Sequence, residues 1–179
     1  YNSRNHEYYS EDAVLTSGQA VAFISGGKEY GVIIAPKHLA FNDTEINRLG
    51  VSVFMTEQQA RENELRGTQA SIEDAGALGV MTAFNRVGIT AANAHTGLLK
   101  NILRGEWGFK GLESQDFIMN PNYAVLKEYA LNGGTMTTFT GENTMAAVSE
   151  KFAYWTTENV GQDTELMSAI KQAMTWQAY

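Results

Sequence analysis

Apolar runs led by glycine and closed by polar residues recur along the chain. "YGVIIAPKHLAF" (30–41), "LGVMTAFNRVG" (78–88), "KGLESQDF" (110–117) and "NGGTMTTFT" (132–140) share that shape, the last two more loosely. Near-continuous apolar runs bounded by glycine fit parallel strands buried on both faces. They predict strands at 31–36, 79–84, 111–116 and 134–139. Helical patterning falls around them. Thr56 and Gln59 form a capping box ahead of "ARENELRGTQASIEDA", with Gly76 as a stop, which predicts a helix over 56–75. Leu98, Leu99, Ile102 and Leu103 share one face of a second helix over 93–106. "PNYAVLKEYAL" (121–131) begins on a proline suited to a first turn and stops at Asn132-Gly133-Gly134. Residues 11–28 and 164–179 complete the helical stretches.

Strands alternating with helices imply right-handed βαβ units and a parallel sheet. Four such units make either a small open α/β sheet or half of an eight-unit barrel. Half a barrel exposes two sheet edges, which need covering. In both architectures ligands sit at the carboxyl ends of the strands.

Composition narrows the partners. The chain has 179 residues, 44% of them hydrophobic, enough for one domain with a substantial core. Thirteen basic against 20 acidic residues give a formal charge of −7, which argues against nucleic acid or an anionic membrane as the main partner. No run approaches the length of a membrane span. Cysteine is absent, so thiol, disulfide and zinc-thiolate chemistry are excluded. The opening "YNSRNHEYYSED" lacks an initiator Met, a basic n-region and an apolar h-region, and has the look of the middle of a longer chain.

The strand ends carry the candidate chemistry. The predicted strands close on Pro36-Lys37-His38, on Phe84-Asn85-Arg86, on Gln115-Asp116, and on Thr137 to Thr140. A single polar residue after a strand is an ordinary turn residue. Cations, an amide, a carboxylate and hydroxyls converging on one rim are expected of a site. Asp43 and Glu45 either order the loop after Lys37-His38 or lie on a solvated loop. Arg86 either faces the site or pairs with a carboxylate behind it. Phe117 is either a sugar-stacking ring or ordinary core. His6 and His95 lack partners at metal-ligand spacing, and no metal or other cofactor is implied.

"RNHEYYSED" (4–12), "KHLAFNDTEINR" (37–48), "GVMTAFNRVG" (79–88) and "LRGEWGFKGLESQDF" (103–117) resemble, in order and spacing, the β-glucosidase-type members of glycoside hydrolase family 3. The tail "GGTMTTFTGENTMAAVSEKFAYW" is similar to a bacterial branch of that family. The resemblance implies a TIM-like barrel followed by an α/β sandwich, with residues 1–179 forming the C-terminal half of that barrel. It implies hydrolysis of terminal β-linked glucosides or related oligosaccharides with retention. The family's nucleophile falls on Asp116, its Lys-His sugar contacts on Lys37 and His38, and the arginine of its "GRN-x-E" motif on Arg4. Retention needs a carboxylate nucleophile and an acid/base about 5–5.5 Å apart. Lys37 and Arg4 are expected to lower the Asp116 pKa by favouring its charged form.

Three departures qualify the match. The family's early strands, with an Asp that grips sugar hydroxyls, would precede Tyr1. Its acid/base comes from a later domain or loop, and Glu45 is the only candidate within the chain. Glu113 and Gln115 stand where the family has apolar or small residues, so a buried Glu113 would need a partner or a raised pKa. The chain is therefore expected to be part of a larger glycosidase, inactive alone, joined to its other half or to itself. A non-catalytic carbohydrate-binding or interaction module on the same scaffold is the alternative, and an unrelated small α/β enzyme using Lys37 or His38 with Asp116 is a third.

Overall fold

Asp12, Thr56 and Asp163 each accept a hydrogen bond from the backbone N–H three residues on, at 2.7, 3.2 and 3.0 Å, and each begins a helical stretch. The structure is a computed structural model and describes residues 3–117, 125–138, 155 and 157–179. Helix α1 spans Ala13–Glu29. Thr56 starts a longer helical stretch made of α2 (Glu57–Gln59), a π-wound turn (Ala60–Glu64) and α3 (Arg66–Glu73). It stops at Gly76, whose φ of 62° only glycine adopts without strain. The predicted 93–106 helix is wound with i→i+5 bonds over Gly97–Glu106, and the Trp107 N–H closes it on Ile102 O at 2.9 Å. Leu98, Leu99 and Leu103 are buried and Ile102 half-buried, as their spacing predicts. Helix α4 covers Leu126–Leu131; residues 121–124 of the expected helix lie outside the described residues. Helices α5 (Thr157–Gln162) and α6 (Thr164–Ala178) follow.

Strands β1 (Lys37–Leu39), β3 (Gly79–Thr82) and β6 (Leu112–Gln115) form a parallel sheet in sequence order. Gly79 pairs with Leu112 and Thr82 with Gln115. Strands β2 (Ser52–Val53), β4 (Arg86–Val87) and β5 (Thr90–Ala91) build a second small sheet, parallel between β2 and β4 and antiparallel between β4 and β5. Leu39, Phe41, Val80, Leu99, Leu103 and Phe109 are buried in one cluster between sheet and helices. Burial of each such large side chain contributes roughly 1.5–3 kcal/mol. Parallel strands alternating with helices are the pattern of part of a (β/α) barrel.

The two outer strands depart from expectation. The first does not run over 31–36. It is β1, so Lys37 and His38 lie within the strand rather than beyond it. The apolar run ahead of it passes close over Gly79, where a Cβ would stand 2.9 Å from Ala35 Cβ. Pairing begins at Pro36, whose carbonyl accepts from Met81 N at 3.1 Å. Lys37–His38 and Leu39–Ala40 are cis peptides. The fourth strand shrinks to one parallel bridge, Ser114 with Met136. Gly133 has φ 96°, and a Cβ on Gly134 would sit 2.3 Å from the Tyr129 ring, so the chain turns against that ring instead of extending along β6. Residue 139 of the expected strand lies outside the described residues.

Candidate active site

Asp116 follows β6 directly, and its N–H donates to Thr82 O at 3.1 Å, which continues the ladder with β3. Its carboxylate is buried and its two oxygens differ. Oδ1 accepts the Phe117 N–H at 2.8 Å. Oδ2 lies 3.3 Å from His38 Nε2 and 3.9 Å from Arg48 Nη1, aligned for a hydrogen bond with neither. His38 Nδ1 and Arg48 Nη1 are likewise buried without a hydrogen bond. Asp116 Oδ2 is thus a buried acceptor with no aligned donor among the described residues, a costly arrangement that a polar ligand relieves.

The cations are organised by carboxylates from two segments. Lys37 Nζ lies 2.6 Å from Glu7 Oε2, which Arg4 Nη2 also approaches at 2.6 Å. Arg4 Nη1 reaches Glu45 Oε1 at 3.3 Å. Glu45 also accepts from Asn42 Nδ2 at 3.0 Å, and its Oε2 lies 3.0 Å from Arg48 Nη1. The Arg48 guanidinium stacks 4.4 Å above the Phe84 ring. Charges therefore alternate from Lys37 through Glu7, Arg4, Glu45 and Arg48 to Asp116.

Protonation follows from these contacts. Hydrogen bonds from Arg4 and then Lys37 hold Glu7 down at about 2. Burial, reinforced by the charges of Lys37, Arg4 and Arg48, lowers His38 to about 4, so the imidazole is neutral at pH 7 with one donor and one acceptor nitrogen. The Asp116 pKa is raised, not lowered as expected: burial outweighs the Phe117 N–H and the charges of Arg48, Arg4 and Lys37. Burial works to raise Glu45, but the Asn42 hydrogen bond and the Arg48 and Arg4 contacts prevail and its pKa is lowered.

Of the expected site residues, His38 and Asp116 meet directly, while Lys37 and Arg4 join through Glu7. Arg86 does not end β3; it belongs to β4, in the other sheet. Phe117 is 46% exposed, which excludes the core alternative. Glu45 orders its loop, as one of the two readings held. Arg48 and Glu7 were missed, although both lie inside the quoted stretches and Arg48 stands one helical turn past Glu45. Among the described residues no three His, Asp or Glu side chains gather as a metal site. A cavity of about 280 Å³ lined by Lys100, Arg104, Asn132, Gly133, Gln172 and Trp176 contains none of these site residues.

The family model for the glycosyl hydrolase family 3 N-terminal domain matches residues 1–166. The chain belongs to glycosyl hydrolase family 3. It is 40% identical over 114 residues to probable beta-glucosidase J of Emericella nidulans, covering 64% of this chain and 13% of that protein. It is 38% identical over 116 residues to a beta-glucosidase of Rhizobium radiobacter, covering 65% and 14%. Among solved structures, beta-glucosidase 3B from Thermotoga neapolitana in complex with glucose superposes with TM-score 0.79 at 28% identity, over 96% of this chain and 24% of that one. The chain thus spans about a seventh of the curated relatives it matches.

Proposed function

We propose that this chain supplies the nucleophile and part of the sugar site of a retaining β-glucosidase. The observation that carries the reading is the asymmetry of Asp116: Oδ1 is occupied by a backbone N–H, and Oδ2 is buried, unaligned with any donor and flanked by His38 and Arg48. In this reading Oδ2 attacks the anomeric carbon of a terminal β-linked sugar. The bond from that carbon to the leaving oxygen breaks, a proton passes to the leaving group from a general acid, and a glycosyl ester forms on Asp116. Water then cleaves the ester and restores the carboxylate. Neutral His38 and the cations Arg4, Lys37 and Arg48 offer directional hydrogen bonds to sugar hydroxyls, which carry no charge of their own. Arg86 and the exposed Phe117 ring are assigned to the outer part of the same sugar site.

Glu7 and Glu45 are each engaged by two cations and have lowered pKa values, so neither is suited to donate a proton at neutral pH. The proposal therefore places the acid, and the rest of a TIM-like barrel, in parts of a larger enzyme beyond these residues. The small share of the relatives' length that the chain spans supports this placement.

The test uses the enzyme at its full natural length. Asp116→Asn keeps size and hydrogen bonding but forms no ester; turnover of aryl β-glucosides is expected to vanish while glucose binding persists. An activated 2-deoxy-2-fluoroglucoside should leave its sugar on the peptide containing Asp116, read by mass spectrometry. Undiminished turnover in Asp116→Asn, or a label on another carboxylate, refutes the assignment.

A further inference from the structure

We propose that Phe84 is a positioning residue, whose ring holds the Arg48 guanidinium against Asp116. The inference rests on Asp116 as the nucleophile, the reading given above. Arg48 stands in the loop between β1 and β2, where no regular element orients it. Its neighbourhood is shaped only by a local turn, in which Gly50 N and Val51 N close on Asn47 O at 2.8 and 3.1 Å. A long arginine side chain leaving such a loop has no preferred direction of its own, and fixing it costs rotamer entropy. Two contacts set its direction here. Glu45 Oε2 lies 3.0 Å from Nη1, and Cζ sits over the Phe84 ring, 4.4 Å from its centroid.

Phe84 is itself well held. Before it, Ala83 N donates to Leu39 O at 2.8 Å. After it, buried Asn85 donates from Nδ2 to Ala40 O at 3.0 Å and accepts from Ala92 N at 3.0 Å. The platform is therefore tied to β1, the strand that carries His38. A phenyl ring has no polar atom to offer Asp116, so any influence it has on that carboxylate passes through Arg48. The consequence is electrostatic. Arg48 is one of the cations that oppose the cost of burying Asp116, with Arg4 and Lys37, while His38 is neutral. A guanidinium freed from its platform turns toward water and leaves the carboxylate less stabilised.

The experiment compares Phe84→Leu, which keeps apolar bulk without an aromatic face, with Phe84→Trp, which keeps the face. The enzyme is taken at full natural length. Phe84→Leu is expected to lower kcat/KM on aryl β-glucosides about tenfold and to move the acid limb of its pH profile upward by up to about one unit; Phe84→Trp retains both near wild type. In an Arg48→Met background, Phe84→Leu should add nothing further. Phe84→Met serves the same purpose should the leucine variant fail to fold. Independently of turnover, the ¹³C-carboxyl titration of Asp116, assigned by its loss in Asp116→Asn, should shift upward in Phe84→Leu and stay in place in Phe84→Trp. Full activity in Asp116→Asn would sink the nucleophile reading and leave the titration to decide the role of Phe84. An unmoved Asp116 titration in Phe84→Leu, or additive losses in the double variant, overturns the inference.

Discussion

Glu113→Gln should stabilise the protein above neutral pH and leave it unchanged in mild acid. Glu113 is fully buried on β6, and neither carboxyl oxygen has a hydrogen bond. The hydroxyls nearby are turned to the backbone: Tyr129 Oη lies 2.8 Å from Met136 O and 3.0 Å from Glu113 O, and Thr82 Oγ1 donates to Ser114 O at 3.4 Å. Arg104, the neighbouring cation, gives its N–H groups to the carbonyls of Gly133, Phe109 and Gly111. Burial therefore dominates and raises the Glu113 pKa from 4.5 to about 7. The folded state holds this proton more tightly than the unfolded chain, so stability from this group is full below 4.5 and is lost as pH rises through about 7. A shift of about 2.5 units corresponds to about 3 kcal/mol lost by pH 8. His38 acts in the opposite sense. Its lowered pKa costs stability as pH falls from 6.5 toward 4, so wild-type stability alone does not isolate Glu113. The difference between wild type and Glu113→Gln does. Unfolding free energies from urea melts at pH 4 and pH 8 should show near identity at the first and an advantage of about 3 kcal/mol for glutamine at the second. Parallel pH dependences in the two proteins would refute a raised Glu113.

Two further predictions follow from single contacts. The His38 imidazole should titrate near 4 by NMR, well below free histidine, because it is buried beside Lys37, Arg4 and Arg48; a midpoint near 6.5 would mean that water reaches it. Gly111→Ala would place a Cβ 2.2 Å from Leu78 O, a backbone atom, so its unfolding free energy from urea melts should fall by the upper end of the roughly 1–3 kcal/mol that overpacking costs.

The parts legible in the sequence are those fixed by local patterning. Strands β3 and β6 fall inside their predicted spans because they pair with each other in continuous register. Thr56 begins its helix and Gly76 ends it, since cap and stop act within one turn. The parts that were not legible depend on contacts distant along the chain. No pattern within residues 30–41 reveals that the run at 33–35 passes close over Gly79 or that pairing starts only at Pro36. The site divides the same way. Asp116 stands at a strand end and was visible. The binding of Lys37 by Glu7, and the stacking of Arg48 on Phe84, join residues 30 or more positions apart. Arg48 carries only one local sign, its position one helical turn after Glu45.

The alternating charges also decide which chemistry the described residues can carry. Retaining hydrolysis sets opposite demands on its two carboxyl groups: the nucleophile must be ionised, and the acid must keep its proton near neutral pH. Glu7 and Glu45 fail the demand on the acid, because cations on both sides hold them in the charged form. Their effect is instead to hold Arg4, Lys37 and Arg48 in place around β1 and the loop that follows it. Fixed in this way, the cations oppose the burial of Asp116 without forming an aligned hydrogen bond that would quench Oδ2. Glu113 does have the raised pKa of an acid. Yet it lies one β-strand alternation out of phase with Asp116, beside Arg104 and Tyr129 rather than His38 and Arg48, so its proton belongs to the core beneath the site. Under the proposed mechanism, a proton for the leaving oxygen then comes from a group whose environment differs from all three of these carboxylates.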